Sequence, residues 1–249
     1  MKPVKQIHSI VDKVLRIIRM PVIGISLFII ISAIGYQYFQ SKIYNMPSSQ
    51  PFTGNYLYNP YNSSQGTWLK ANFHAHARSW FGITNGKQSG DEVVSTYRDF
   101  GYDIAGLSDY NKINPSIYAQ GNFGVPVYEH GMNMFKQHHL GIGAQEVTFD
   151  DVLLWQNDHI KQFLLEKMNN HSPIVCINHP GLKDGHSTQS IGQLTGYNCM
   201  EVLNRDRSYV QYWDAALSSG RPVWILANDD CHDLTKEESI SEALQNHAF

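Results

Sequence analysis

The protein has 249 residues, of which 42% are hydrophobic and 16% charged, a composition that excludes disordered, collagen-like and coiled-coil chains. A formal net charge of -3 does not indicate a general polyanion-binding surface, and three cysteines are too few for a disulfide framework. The twelve histidines are unusual. Because histidine is the commonest protein ligand of transition metals, their positions in the chain are the main lead to function.

The first feature in chain order is an uncharged, almost wholly apolar run over residues 21–39. At a rise of about 1.5 Å per residue, such a run is long enough to cross a bilayer. Residues 1–20 hold five basic residues and one acidic residue. The positive-inside rule therefore predicts a single-pass membrane protein with residues 1–20 in the cytoplasm and the rest outside.

A cleaved signal peptide and a buried core helix are the alternatives for this run. The basic segment is long for a signal peptide, and no small-residue cleavage site follows the apolar run. Core helices rarely stay uncharged over such a length. These observations favour an uncleaved signal anchor.

Residues 40–67 are rich in Pro, Ser, Asn, Gly and Tyr, which predicts a linker between the anchor and a globular domain over residues 68–249. Without the first twenty residues the chain has 14 basic and 21 acidic residues and a net charge of -7. An acidic exported part argues against nucleic acid as a partner.

The globular domain opens with WLKANFHAHARSW, in which apolar and polar residues alternate as in a strand. His74 and His76 are two residues apart and therefore face the same side of such a strand, where they could hold one cation. Alone, this His-x-His pair is weak support for a metal site.

Further along the chain, apolar strands repeatedly end in polar or metal-capable side chains. These residues are Asp109 and Tyr110, Glu129 and His130, Asn178 and His179, Asn204, and Asp229, Asp230 and His232. Helices are predicted between several of the strands, one capped by Asp91 and one with Leu153, Ile160, Phe163, Leu164 and Met168 on one stripe. Such alternation favours a parallel sheet with ligands gathered at the strand ends.

The segments FHAHAR, GYDIAGLSDYN, VPVYEHG, HHLGIGA, NHPG, EVLN and DCH follow one another in an order that resembles the polymerase and histidinol phosphatase (PHP) family of metal-dependent phosphoesterases. The resemblance covers roughly residues 68–233. It implies an α/β fold, a distorted seven-stranded (β/α)7 barrel, behind the N-terminal transmembrane helix.

The resemblance also implies a set of metal ligands, with Glu129 as a bridge and His139 as the alternative to His138. The implied ligands are His74, His76, Glu129, His138, His179, Asp230 and His232. Two positions depart from the family pattern. Tyr110 stands where a histidine is usual, and the aspartate that usually follows the first motif has no clear counterpart, with Asn85 as the nearest candidate. We therefore expect two divalent ions, or even one, rather than three, and this donor set suits Zn, Mn or Fe.

The expected function is a membrane-anchored phosphoesterase that hydrolyses a phosphate ester with a metal-activated water molecule. No side chain is assigned as the catalytic base, and Asp109 is expected to orient a ligand from behind. Arg78 and Arg205 are expected to bind the substrate phosphate. The expected partner is a phosphorylated small molecule or an envelope component.

Three alternatives stay open on the sequence alone. The same ligands could hydrolyse a C–N bond, as in amidohydrolases, or the domain could bind metal or a glycan without turnover. A Cys231 thiolate could join the metal site, although its place between two ligands favours a packing role.

Overall fold

The computed structural model describes residues 2–53 and 66–235, and the chain divides into two units, Met1–Ser41 and Lys42–Phe249. The first unit contains one helix, α1 (Lys2–Phe39), which continues through Pro21. Its part from Arg19 to Phe39 has 21 residues and a mean hydropathy of 1.9, enough to cross a membrane by length and composition. Membrane insertion and orientation remain predictions.

The second unit is a mixed α/β structure. Its strands are β1 (Ala71–Asn72), β2 (Ile104–Ala105), β3 (Val127–His130), β4 (His139–Ile142), β5 (Ile174–Ile177), β6 (Cys199–Asn204), β7 (Arg207–Ser208) and β8 (Trp224–Asn228). Its helices are α2 (Gly90–Asp99), α3 (Asp158–Asn169), α4 (Thr188–Gln193) and α5 (Val210–Ser218). Three 3-10 segments cover Trp80–Gly82, Pro115–Phe123 and Leu182–Asp184.

The strands form two sheets, and the expected parallel arrangement is wrong for two strands, because β4 is antiparallel to its neighbours and β7 is antiparallel to β6. Strands β1 and β2 pair in parallel, while the larger sheet has the order β3-β4-β5-β6-β7 with β8 also beside β6. Strand β4 runs antiparallel to both β3 and β5. Only residues 131–138 connect β3 to β4, which is too short for the crossover that a parallel pair requires. As a result, β4 begins at the edge of the sheet where β3 and β5 end.

Two isolated parallel bridges join the sheets, Ala75 with Cys231 and Tyr110 with Glu129. Through these bridges β1, β2, β3, β4, β5, β6 and β8 follow one another in a cyclic order. Because each junction is a single bridge, the described residues form a mixed α/β fold without a continuous closed barrel. Both bridges lie next to residues of the expected metal site.

Two local expectations about the helices are wrong. Ser89, not Asp91, caps α2, because its side chain accepts from the Glu92 amide while the Glu92 carboxylate accepts from the Ser89 amide. Asp91 lies in the first turn, where it favours the helix dipole. Helix α3 begins after its cap Asn157, so Leu153 lies in the preceding loop.

The core of the larger sheet packs against α3, with Leu165 and Met168 touching the buried side chains of β5 and β6. A second cluster joins α2 to the strand pair β1 and β2. Gly106 is needed where these strands meet, because an added Cβ would lie 2.7 Å from the Phe73 Cα atom. The segment that carries His74 is therefore closely packed from behind.

Part of the predicted linker contacts the globular unit. The Lys42 ammonium lies 2.7 Å from the Glu166 carboxylate, and the Gln50 amide donates to the Ser219 carbonyl at 3.3 Å. Residues 54–65 of that linker lie outside the described residues. The predicted boundaries at residues 20, 39 and 67 remain predictions.

Candidate metal centre

His74 and His76 lie in the segment that follows β1, and backbone hydrogen bonds to the chain on either side hold this segment in place. The His76 amide donates to the Cys231 carbonyl at 2.8 Å, and the Ser108 amide donates to the Ala75 carbonyl at 2.8 Å. The Asp109 carboxylate accepts from the Ala77 amide at 2.9 Å. These bonds hold both imidazoles on the same side of the segment, and Asp109 acts on the backbone directly after His76.

The structure brings all seven expected ligands together. Each belongs to at least one of four overlapping groups of three side chains whose ligand atoms lie within 4.8 Å of one another. The groups are His74–His179–Asp230, His74–His76–Glu129, His76–Asp230–His232 and Glu129–His138–His179. The overlap extends the cluster over more than one possible ion position.

The nitrogen and oxygen atoms of the cluster converge as ligands of a cation do. Nε2 of His74 lies 3.1 Å from Oε1 of Glu129 and 3.2 Å from Oδ1 of Asp230. Nε2 of His76 lies 3.2 Å from Oε2 of Glu129 and 3.3 Å from Oδ1 of Asp230. Both ring nitrogens and Oδ1 of Asp230 are buried without a hydrogen-bond partner in acceptable geometry. Atoms bound about 2.1 Å from one ion are separated by about 3 Å, so these residues fit a divalent metal.

Glu129 is at the centre of the cluster. It is fully buried, and Oε1 lies 3.0 Å from Nδ1 of His138 and 3.4 Å from Nε2 of His179, in addition to its contact with His74. Its other oxygen faces His76. A carboxylate with one oxygen toward three histidines and the other toward a fourth can offer its two oxygens to different ions.

A second carboxylate, Glu201 of β6, forms hydrogen bonds with two of the expected ligand residues and so orients them. Its Oε1 lies 2.9 Å from Nδ1 of His74, and its Oε2 accepts from the His179 amide at 3.0 Å and from the Asn204 side chain at 2.8 Å. Glu201 was not predicted as a site residue, although the EVLN segment carries it. Asn178, which donates to Oε1 of Glu129 at 2.9 Å, was also missed in this role.

The carboxylates and histidines of this buried cluster shift one another's pKa values. Burial alone would raise the pKa of the Glu129 and Asp230 carboxyls. The neighbouring histidines, His138 for Glu129 and His74 for Asp230, outweigh burial, so the pKa of each carboxyl is lowered and both are ionised. Burial lowers the pKa of His74, but the carboxylates, Asp230 foremost, outweigh it and the pKa is raised. Burial and the neighbouring His76 lower the pKa of His232 to about 4. A metal ion would therefore replace protons on some histidines and meet neutral imidazole at His232.

Tyr110, at the position where the resemblance led us to expect a histidine, packs against the cluster. Its ring stacks on His76 with centroids 4.6 Å apart and an interplanar angle of 24°. Burial and the charge of Glu129 raise the pKa of the Tyr110 hydroxyl, which therefore stays a neutral phenol and a poor ligand. Asn85, the nearest counterpart of the other missing ligand, is exposed.

The other expected site residues lie around the cluster. His138 points into it, whereas His139 faces a second buried pair, with its ring 6.0 Å from His130 and 5.9 Å from His186. The Arg205 guanidinium donates to the carbonyls of Asp229 and Asp230, and Arg78 is exposed. Their binding of a substrate phosphate remains a prediction.

Cys231 packs in the cluster between α2 and the first strand pair. Burial raises the pKa of its thiol to about 11, so it is protonated at neutral pH. It is absent from all four groups found among the described residues. These observations agree with packing as its role.

Strained backbone occurs at the cluster. His179 and Asp230, both expected ligands, have φ angles of 24° and 46°, and Arg205 beside Asp230 has 52°. Positive φ is unfavourable for residues other than glycine and persists where the surroundings enforce it, often at functional sites. In these turns the strain directs the ligand side chains inward.

No family of known protein domains matches the chain, and no curated protein does so either. Its structure is similar to that of a two-domain protein from Bacteroides vulgatus, described as containing a predicted PHP-like metal-dependent phosphoesterase. The sequence identity is 18% and the TM-score is 0.46, over 66% of this chain and 52% of that one. This chain thus matches about half the length of that relative. The functional assignment depends on the side chains of the site.

Replacing Glu201 by Gln is expected to weaken metal binding roughly 10–100-fold, because the amide no longer fixes His74 through a charged hydrogen bond. Calorimetric titration of the metal-stripped full chain with Zn²⁺ or Mn²⁺ measures the effect. Glu146→Gln is the matched control, since the Glu146 carboxylate is 75% exposed and outside the cluster. Equal affinities in both variants would contradict the role given to Glu201.

Proposed function

We propose that the protein is a membrane-anchored, metal-dependent phosphoesterase that hydrolyses a phosphate ester. The observation that supports this most is the placement of Glu129 among His74, His76, His138 and His179. A buried carboxylate shared by two groups of imidazoles is the donor arrangement of a two-ion site. Zn, Mn and Fe suit these ligands better than Ca, which prefers oxygen donors alone.

When bound, two divalent ions would polarise a phosphoryl oxygen and lower the pKa of a water molecule. The seven ligands hold this site, and Glu201, Asn178 and Asp109 fix the orientation of the ligands. Arg78 is exposed and makes no close ion pair among the described residues, although its charge acts on the Glu92 carboxylate, so its guanidinium can approach a phosphate. Arg205 keeps the Asp230 turn in place through backbone carbonyls.

Hydrolysis of the ester forms a bond from a water oxygen to phosphorus and breaks the bond to the alcohol oxygen. The alcohol takes up a proton as it leaves. The low exposure of the ligand atoms favours this reaction, because the charges that stabilise the phosphoryl group act more strongly where water is excluded. No contact among the described residues favours an amidohydrolase or a non-catalytic role instead.

The proposed location is a single membrane pass with the N-terminus in the cytoplasm and the catalytic domain outside. The apolar part of α1 and the basic residues before it support this arrangement. A phosphorylated small molecule or an envelope component is then the proposed substrate, with no role for nucleic acid.

Labelling of intact bacterial cells with a membrane-impermeant maleimide tests the orientation. Ser208 is exposed on the globular unit and Ser9 precedes the apolar segment, while the three native cysteines are buried. We expect Ser208→Cys to react in intact cells and Ser9→Cys to react only after lysis. The opposite pattern would show that the anchor is inverted, and release of the domain from the membrane would show a cleaved signal.

Replacing both His74 and His76 by Ala is expected to reduce hydrolysis of an aryl phosphate by at least about 10³-fold, because three of the four ligand groups lose a member. Steady-state kinetics and elemental analysis of the full chain measure activity and metal content together. His171→Ala is the matched control, because His171 is 40% exposed and outside the cluster. Wild-type activity in the double variant would overturn the ligand assignment.

A further inference from the structure

A large groove lies beside the metal cluster and is not used by the ligands. It has a volume of about 1130 Å³ and is lined by residues 78–82 and 111–113, together with Val147 and Phe149. This volume is at the upper end of pockets that enclose whole organic ligands, and is far more than a phosphate group needs.

Tyr110 connects the lining of the groove to the metal cluster. The Trp80 indole donates to the Tyr110 carbonyl at 2.7 Å, and the Tyr110 ring stacks on His76. On the other side of Tyr110, the Asn111 amide donates to the Glu129 carbonyl at 2.8 Å. The groove lining is thus close to the cluster along the chain, with Arg78 two residues after His76 and Asn111 next to Tyr110.

The charge of the lining suits an anionic ligand. Arg78 and Lys112 line the groove, and no carboxylate does. Lys136 adds a third positive charge nearby, with its ammonium 5.9 Å from the centre of the Tyr110 ring. Positive side chains along a cleft concentrate anions near it.

Most of the remaining lining is apolar, and its aromatic members are exposed. The Phe81 side chain is fully exposed, Phe149 is 68% exposed and Trp80 is 40% exposed. Trp80 and Phe81 both have positive φ angles, 51° and 57°, which are unfavourable for aromatic residues. Hydrogen bonds between Ser79 and Thr84 close this loop and keep it in place. Exposed aromatic rings on a strained loop next to a reactive site indicate a binding surface.

Two buried polar atoms in the lining lack partners. Oγ of Ser79 and Oδ1 of Asn111 belong to residues that are 3% and 8% exposed, and neither atom makes a hydrogen bond. Both atoms are closed to solvent, so they do not face a ligand in the open groove. Most of the lining is apolar, and the several hydroxyls of a sugar would be left without partners there at a cost in free energy.

We propose that this groove binds the alcohol part of the phosphate ester, and that this part carries a flat aromatic ring. The ring stacks on Phe81 and Phe149. Arg78 and Lys112 attract the phosphate. This assignment of substrate class rests on the proposed phosphoesterase function.

The test compares 2-phenylethyl phosphate with n-propyl phosphate, using the full chain in lipid nanodiscs. Both esters have primary alkyl leaving groups, so their intrinsic reactivities are similar and a difference reports binding. We expect kcat/KM to favour the aromatic ester by about tenfold or more. In Phe81→Ala/Phe149→Ala this preference should fall toward one, whereas Tyr118→Ala, which removes an aromatic ring exposed by 65% outside the groove, should retain it.

A preference that is absent in the wild type, or that persists in the double variant, would overturn the proposal. Thermal unfolding of each variant shows whether the fold is intact; should the double variant unfold, the single variants Phe81→Ala and Phe149→Ala replace it. If neither ester is hydrolysed, the phosphoesterase function itself fails. The groove is then tested by calorimetry with 2-phenylethylphosphonate and n-propylphosphonate, which bind without turnover. Tighter binding of the aromatic phosphonate, lost in the Phe81 and Phe149 variants, would support the groove assignment, and equal binding would refute it.

Discussion

The burial of the Glu129 carboxylate is the constraint on which the rest of the site depends. An ionised carboxylate that loses its water must be compensated by cations or hydrogen-bond donors, or its burial is prohibitively unfavourable. Here four imidazoles and the Asn178 amide supply that compensation. The same imidazoles also have buried nitrogens without hydrogen-bond partners. The cluster therefore has unused donor atoms of the kind that divalent cations take as ligands.

The fold serves this constraint by collecting strand ends around Glu129. Each of the two bridges between the sheets lies at the site, one through Glu129 itself and one between Ala75 and Cys231. Antiparallel β4 brings His138 to the same edge as His179, which follows a strand running the other way. Positive φ angles at His179 and Asp230 then turn these residues inward. Hydrogen bonds hold these turns in place: the His179 amide donates to Glu201, and Arg205 donates to the carbonyls of Asp229 and Asp230.

The clustering of the seven expected residues could be predicted from the sequence because each lies in or next to an apolar strand, and the motif order supplied the pairing between distant segments. The choice between His138 and His139 depended on the direction of β4, which a periodic pattern does not encode. Glu201 was missed because its neighbours Met200 and Val202 make it appear to be an isolated charge within a strand. The cap of α2 was misplaced by two residues because Ser89 and Asp91 are both good capping residues, and only the reciprocal bond with Glu92 decides between them.

The central claim is that Glu129 bridges two divalent ions, and the number of ions per chain tests it most directly. Elemental analysis of the wild-type full chain, purified without chelator and in the presence of Zn²⁺ or Mn²⁺, gives this number. The account predicts close to two equivalents per chain, with one held more weakly because Tyr110 contributes no ligand. A chain that binds no metal under these conditions would contradict the account and leave the buried carboxylate to be neutralised by protonated histidines alone.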